Sequence, residues 1–226
     1  MKHPFLITSV LLCAFCFASV ATAQDGAVDA QRMASSPGPS IGIEGGLGQY
    51  TQVGWMVSSY GHLSPNGNGT GFTGSLFFDL PISRDFYAGL KAGLDFVNTP
   101  PRTPPGFDIS TGVVDAEKLT LLKFEPYIQY QILHSSLFIQ GGVGISDPLS
   151  IVITEVYGGA SGTFTNNNKA LLFSGMIAVG YNFDVSSFTI APIVTYDHFI
   201  NINQIEDYNW NFNSIKYALG VKYNLH

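Results

Sequence analysis

The sequence predicts an all-β fold: an eight-stranded antiparallel up-and-down transmembrane β-barrel, with short turns at one end and four long loops at the other. Three observations predict it. Apolar and polar residues alternate with period two in eight segments. Charged residues make up only 12% of the chain, about half the share found in soluble proteins. After residue 23 the sequence has no run of eighteen apolar residues that a spanning helix would need. The surface therefore suits lipid, and strands must meet it.

The first 23 residues are predicted to be a signal peptide. Lys2 and His3 give a basic start, residues 5–20 are almost all apolar, and Ala21 to Ala23 supply the small residues of a cleavage site. The apolar run is shorter than the roughly twenty residues of a spanning helix. We expect export through the Sec pathway and cleavage after Ala23.

Cleavage would also remove both cysteines, Cys13 and Cys16. The mature chain then has no thiol, which excludes disulfides, thiol catalysis and Cys-ligated metals. Residues 24–39 are rich in Ser, Pro and Gly without periodicity, and we interpret them as a flexible lead-in. The barrel domain is expected to occupy residues 40–226.

Each predicted strand has one apolar face. In the third strand, for example, Phe86, Leu90 and Leu94 oppose Lys91 and Asp95. The predicted strands are 41–48, 71–81, 86–96, 119–133, 137–145, 170–183, 187–199 and 214–225.

Short turns and long loops alternate strictly between these strands. The turns are 82–85, 134–136 and 184–186, and the loops are 50–70, 98–118, 146–168 and 200–213. Residues 150–157 of the third loop are expected to prolong the sheet. This alternation is typical of outer-membrane barrels, in which the turns are periplasmic and the loops extracellular.

Two prolines interrupt the pattern. Pro126 and Pro192 lie inside the fourth and seventh predicted strands, and each removes a backbone donor that lipid cannot replace. We expect a local β-bulge at each position.

The inward faces carry charge and the outward faces of the predicted strands carry none. Five acids against four bases predict a lumen charge network in which these groups pair. The predicted network comprises Glu44, Asp79, Lys91, Asp95, Lys123, Glu125, Asp197, Lys216 and Lys222. Barrel closure places the last strand beside the first, so Glu44 is the expected partner of the terminal strand's lysines, Lys216 and Lys222. We accordingly expect Lys216→Leu to weaken the barrel less than Leu219→Lys.

Two interpretations of the lumen remain open at this point. Eight strands enclose a space that side chains just fill, and Tyr87, Tyr127 and Phe138 are available to fill it. Many inward positions are nevertheless glycine or alanine, which leaves room for a small cavity. The second interpretation predicts a narrow channel or a binder of small hydrophobic solutes.

Catalytic residues are not predicted. Asp197 and His198 are adjacent and should point to opposite faces of their strand, while His62 is accompanied in the first loop by several serines (Ser58, Ser59 and Ser64) without a defined acid. An outer-membrane lipid-modifying enzyme is therefore only a second alternative. No cofactor or metal site is expected, and the absence of a basic patch argues against nucleic acid as a partner.

The terminal strand carries a resemblance to a known family. Its outward positions are Tyr217, Leu219, Val221, Tyr223 and Leu225. With the eight-strand pattern, they make residues 39–226 resemble the outer-membrane β-barrel domain family of Gram-negative bacteria, the OmpA/OmpX/opacity-protein type. The resemblance implies that this strand is the signal read by the barrel assembly machinery. Family members usually end in an aromatic residue, whereas this chain ends Leu225–His226.

We expect a non-enzymatic integral outer-membrane protein, with a structural, adhesion or surface-interaction role exercised through its extracellular loops. Its expected partners are outer-membrane lipid, lipopolysaccharide, the assembly machinery during biogenesis and an unspecified extracellular ligand. It is expected to be a monomer. The structural alternative is a soluble lipocalin-like barrel with its apolar face turned inward.

Overall fold

The structure is a computed structural model that describes residues 38–58, 61–63, 67–102, 115–157, 160–165, 171–201 and 208–225. The predicted signal peptide and most of the lead-in lie outside these ranges. The strands are β1 (Ser40–Ser58), β2 (Gly61–Leu63), β3 (Gly67–Pro81), β4 (Phe86–Arg102), β5 (Asp115–Gln131), β6 (Leu137–Tyr157), β7 (Ala160–Thr165), β8 (Leu172–Tyr181), β9 (Phe183–Val185), β10 (Phe188–Asn201) and β11 (Tyr208–Asn224).

Eight of these strands close into one antiparallel barrel. Neighbours in the chain pair in the order β1, β3, β4, β5, β6, β8, β10 and β11, and β11 pairs back with β1. The closing pair is in continuous register from Ser40 opposite Asn224 to Met56 opposite Tyr208. The short strands β2 and β7 pair with the loop ends of β1 and β6, and β9 continues the line of β8 against β10. The predicted eight-stranded barrel is confirmed.

The long loops are shorter than predicted, because the strands continue into them. β1 runs to Ser58, β4 to Arg102 and β6 to Tyr157, while β11 begins at Tyr208. Residues 150–157 do prolong the sheet, as expected, and β7 pairs with them. Polar residues obscured these extensions in the sequence, since strands beyond the lipid no longer need an apolar face.

The turns at the other end are tight. Residues 82–85 form the first, closed by the amide of Ile82 donating to the carbonyl of Phe86 at 2.8 Å. The predicted fourth strand ends early, in a 3-10 turn at Ile132–His134 where Leu133 has a φ of 49°. The third turn lies later in the chain than the predicted residues 184–186. Phe183–Val185 pairs with β10, and the chain turns at residues 186–187, where Ser186 has a φ of 58°.

The bulges expected at the two prolines are absent. Pro126 pairs with Leu90 on β4, and the pairing of β5 with β6 lapses beside it and resumes in the same register. Pro192 pairs with Leu219 on β11, and the ladder toward β8 and β9 lapses likewise. An antiparallel residue directs its amide to one neighbour only. Each proline therefore interrupts one ladder without shifting it.

The outward faces form an apolar belt around the barrel. On β4 its members run from Phe86 to Phe96, which are 45% and 49% exposed. Ten residue steps of about 3.3 Å, tilted by about 40°, give a height of about 25 Å, the thickness of the apolar band of outer-membrane barrels. No helix in the described ranges is long and apolar enough to span a membrane.

Candidate functional site

The lumen contains the charged residues that the sequence places among apolar strands. All nine members of the predicted charge network point inward, and eight of them are buried. The side chain of Lys222, at the turn end, is 11% exposed. The inward phase of each strand explains this, because residues two apart share a face. The structure divides these nine residues into two groups.

The first group, the outer charge cluster, lies toward the loop end of the lumen. Its centre is the ammonium of Lys216, 2.7 Å from Asp95 Oδ2 and 2.6 Å from Asp197 Oδ2. Lys123 Nζ lies 2.6 Å from Glu125 Oε1 and also contacts both aspartates, at 3.7 and 3.5 Å. Two lysines thus hold three carboxylates, all nearly inaccessible to solvent, so each cation compensates more than one buried anion.

The second group, the inner charge cluster, lies toward the turns. Lys91 Nζ is 2.8 Å from Glu44 Oε2, and Lys222 Nζ is 3.4 Å from Asp79 Oδ2. The hydroxyl of Tyr127 donates to Asp79 Oδ1. In this cluster two acids and two bases balance.

A chain of amides connects the inner cluster across the lumen. Lys91 Nζ donates to Gln140 Oε1 at 3.2 Å, and Gln140 Nε2 donates in turn to Gln129 Oε1 at 3.0 Å. These glutamines were not among the predicted site residues. They could have been predicted from the sequence, because both occupy inward-facing positions, Gln129 on β5 and Gln140 on β6.

The expected pairing of Lys216 and Lys222 with Glu44 is wrong. Lys216 contacts Asp95 and Asp197, Lys222 contacts Asp79, and Glu44 contacts Lys91. Register places Lys216 opposite Gly48 on β1, whereas Glu44 lies opposite Gly220, four residues away along β11. Four residues correspond to about 13 Å along a strand. Asp197 lies one inward row nearer the loops than Lys216, and Asp95 lies one inward row nearer the turns. The sequence did not reveal this arrangement, because it depends on the pairing register of the strands.

An apolar plug closes the lumen above the outer charge cluster. It consists of Tyr50, Val97, Leu119, Leu121, Leu172 and Phe199. The ring of Phe199 is fully buried and lies 5.5 Å from Lys123 Nζ and 5.9 Å from Lys216 Nζ. A ring face toward each ammonium adds favourable electrostatics to the shielding.

Very little free space remains around the charges. One cavity of ≈ 10 Å³ lies beside the outer cluster and another of ≈ 10 Å³ beside the inner cluster. Each is about the volume that one water molecule requires. Tyr87, Tyr127 and Phe138, which were available to fill the lumen, are all buried in it. The side chains described by the structure therefore fill the barrel interior.

The outward face carries aromatic contacts near the turns. Phe86 stacks against Tyr130 with centroids 4.8 Å apart, and Phe188 lies 5.2 Å from Tyr223. Tyr and Phe at this level match the aromatic girdle of a membrane interface. In the predicted assembly signal, Tyr217, Leu219, Val221 and Tyr223 lie on the same outward face of β11, and Leu225 directly follows the strand.

Asp197 and His198 lie on opposite sides of the barrel wall. Asp197 is fully buried in the lumen and accepts a hydrogen bond from Ser214 Oγ at 3.0 Å. His198 is exposed, with its Nδ1 2.6 Å from Asn213 Oδ1. The side chains of His62, Ser58, Ser59 and Ser64 lie outside the described residues. Within the described ranges, no group of three or more His, Cys, Asp or Glu residues is placed to hold a metal ion.

The solved structures similar to this chain include outer-membrane proteins. Ail, the attachment invasion locus protein of Yersinia pestis, has a TM-score of 0.43 at 15% identity, covering 83% of this chain and 100% of Ail. The outer membrane protein OprG from Pseudomonas aeruginosa has a TM-score of 0.42 at 12% identity, covering 84% of this chain and 97% of OprG. The outer membrane protease OmpT from Escherichia coli has a TM-score of 0.44 at 9% identity, covering 86% of this chain and 100% of OmpT.

No protein-family model and no curated protein matches the chain. At these TM-scores, the fold assignment rests on the strand pairing of the chain itself.

Proposed function

We propose that this chain is a non-enzymatic integral outer-membrane β-barrel that acts through its extracellular loops, in a structural, adhesion or surface-interaction role. The filled lumen is the observation that carries the proposal. Seven ion pairs, an amide chain and an apolar plug occupy the space through which a solute would pass. Interaction with the exterior then falls to the loops.

The outer membrane is the location that best suits the exposed faces. Large apolar side chains are exposed on all eight barrel strands, including Phe72 at 67% and Ile177 at 58%. In water such a belt would aggregate, whereas in lipid it is stable. A signal peptide at residues 1–23, cleaved after Ala23, would deliver the chain, with β11 recognised by the assembly machinery. Within the membrane the barrel is proposed to be a monomer.

Conductance across a planar bilayer tests the filled lumen. The full mature chain, extracted from outer membranes in detergent and reconstituted, should produce no reproducible open-pore steps under a voltage of either sign. Regular single-channel steps would support the alternative of a narrow channel and contradict the proposal. A porin reconstituted in parallel confirms that the bilayer reports pores.

Mass spectrometry of lipid A tests the enzyme alternative. Cells with and without the chain should give the same lipid A species. A change of acylation, lost when His198 or His62 is replaced by alanine, would contradict the non-enzymatic assignment.

A further inference from the structure

A groove on the outward surface lies where the apolar belt meets the loops. Its volume is ≈ 540 Å³, which is within the range of small-ligand sites. We call it the rim groove, and its outward-facing residues are Leu47, Gln49, Thr70, Phe72, Phe96, Asn98, Lys118, Thr120 and Tyr217.

Strand register arranges these residues in two parallel rows. The lower row crosses four strands through Tyr217, Leu47, Phe72 and Phe96. It is the last row of the belt and is mainly apolar. Aromatic and aliphatic surface of this kind suits an acyl chain.

The upper row lies two residues nearer the loops. It crosses β1, β3, β4 and β5 through Gln49, Thr70, Asn98 and Lys118, all of which are exposed. Amide, hydroxyl and ammonium groups here face outward, just above the edge of the apolar belt. This is the depth at which the headgroup of a lipid lies.

Lys118 gives the groove its charge preference. Among the lysines whose side chains the structure describes, Lys91, Lys123, Lys216 and Lys222 enter the lumen and Lys118 alone faces outward. An outward acid, Asp147, lies on β6 opposite Leu122, two rows nearer the turns. A cation at headgroup level attracts an anionic lipid phosphate.

We propose that the rim groove binds a phosphorylated lipid of the outer leaflet. The phosphate lies at the ammonium of Lys118 with the Asn98 amide beside it, and an acyl chain lies along Leu47, Phe72 and Phe96. The inference rests on the proposed membrane location and adds a defined lipid site to it. Its occupant is an amphiphile held by charge at one end and apolar contact at the other.

Native mass spectrometry tests this site with lipid A as the probe. The full mature chain in dodecyl maltoside would be titrated with diphosphoryl lipid A and, separately, with the dephosphorylated lipid. Lys118→Gln should weaken binding of the diphosphoryl form about fivefold, the effect of one cation near a charged lipid surface. Binding of the dephosphorylated lipid should be weak and unchanged by this substitution.

Matched variants separate the groove from the rest of the surface. Arg84→Gln removes an exposed charge in a turn at the opposite end and should leave affinity unchanged, while Lys118→Arg should retain it. Phe72→Ala removes apolar groove surface and should weaken binding, whereas Phe78→Ala, on the same face of β3 outside the groove, should not.

Two results would overturn the proposal. One is equal affinity of the wild type, Lys118→Gln and Arg84→Gln for diphosphoryl lipid A, which would mean that lipid adheres to the whole belt. The other is the absence of any preference for the phosphorylated form. Failure of the membrane assignment would look different, because the protein would then stay in solution without detergent.

Discussion

Lys216 illustrates how one residue is defined by its register. In the sequence it is a charged residue in an apolar strand. From the sequence we therefore expected Lys216→Leu to destabilise the barrel less than Leu219→Lys, which adds a charge to the outward face. In the structure it lies between Asp95 and Asp197, both of which are essentially inaccessible to solvent. Removing the cation would leave buried carboxylates with one remaining lysine. The expected ranking of the two substitutions is therefore revised.

At the residue scale we predict that Lys216→Leu and Leu219→Lys both destabilise the barrel strongly. Breaking a buried ion pair costs about 3–5 kcal/mol. Leu219 is 52% exposed on the outward face, where a lysine costs about 2–4 kcal/mol in mid-bilayer. Urea unfolding in lipid vesicles measures both free energies.

A loss of unfolding free energy well below about 3 kcal/mol for Lys216→Leu would contradict this description of the outer charge cluster. Leu219→Ile is the matched control and should change the free energy of unfolding by less than about 1.5 kcal/mol, because it keeps the volume and apolarity of the side chain.

At the element scale, the closing strands β1 and β11 approach closely on the lumen side. A Cβ added at Gly46 would lie 2.2 Å from the carbonyl oxygen of Tyr217 and 2.6 Å from the Cα of Ala218. At the adjacent Gly45, which faces outward, an added Cβ would have its nearest neighbour, the carbonyl oxygen of Thr73, at 3.9 Å. The two glycines therefore have different roles despite being neighbours.

We predict that Gly46→Ala impairs barrel closure and that Gly45→Ala does not. A backbone cannot yield as a flexible side chain does, and overpacking of this kind costs about 1–3 kcal/mol. The folded fraction of each variant after refolding into detergent, read as the band that migrates differently without boiling, measures the effect. Equal folding of the two variants would show that the strands can separate at this point.

The strands also show which features the sequence could predict. Period-two alternation identified the faces of all eight barrel strands, because lipid demands an apolar face on each. The loop-end extensions of β1, β4 and β11 were missed, since nothing outside the lipid demands that pattern. The ion pairs in the lumen were not predicted correctly either, because they depend on the pairing register of the strands. The sequence shows that Lys216, Asp95 and Asp197 face inward, but not that they lie next to one another.

At the scale of the whole molecule, the barrel has a filled interior that contains the nine charged residues beside an apolar plug, and it has an apolar exterior. This is the reverse of a soluble barrel, in which the apolar face lies inside. The small inward residues that suggested a cavity are instead covered by large rings: a Cβ at Gly89 would meet the ring of Tyr127, and one at Gly180 the ring of Phe138. Small and large residues thus complement each other across the lumen.

We predict that the mature protein requires detergent for extraction and migrates differently on a gel with and without boiling. The hydrogen bonds of a closed barrel are all internal, so detergent at room temperature should leave the barrel folded. Recovery in the aqueous fraction, with identical mobility in both lanes, would instead indicate a soluble barrel.

The orientation of the two faces is tested most directly by a scan of single cysteines along β8, from Leu172 to Tyr181, in lipid vesicles. The predicted cleavage after Ala23 would leave no native cysteine, so a spin label would report each position separately. Collisions with oxygen, which concentrates in lipid, should alternate with period two, high at Phe173, Gly175, Ile177 and Val179 and low at the buried positions between them. The opposite phase, or no alternation, would contradict the account.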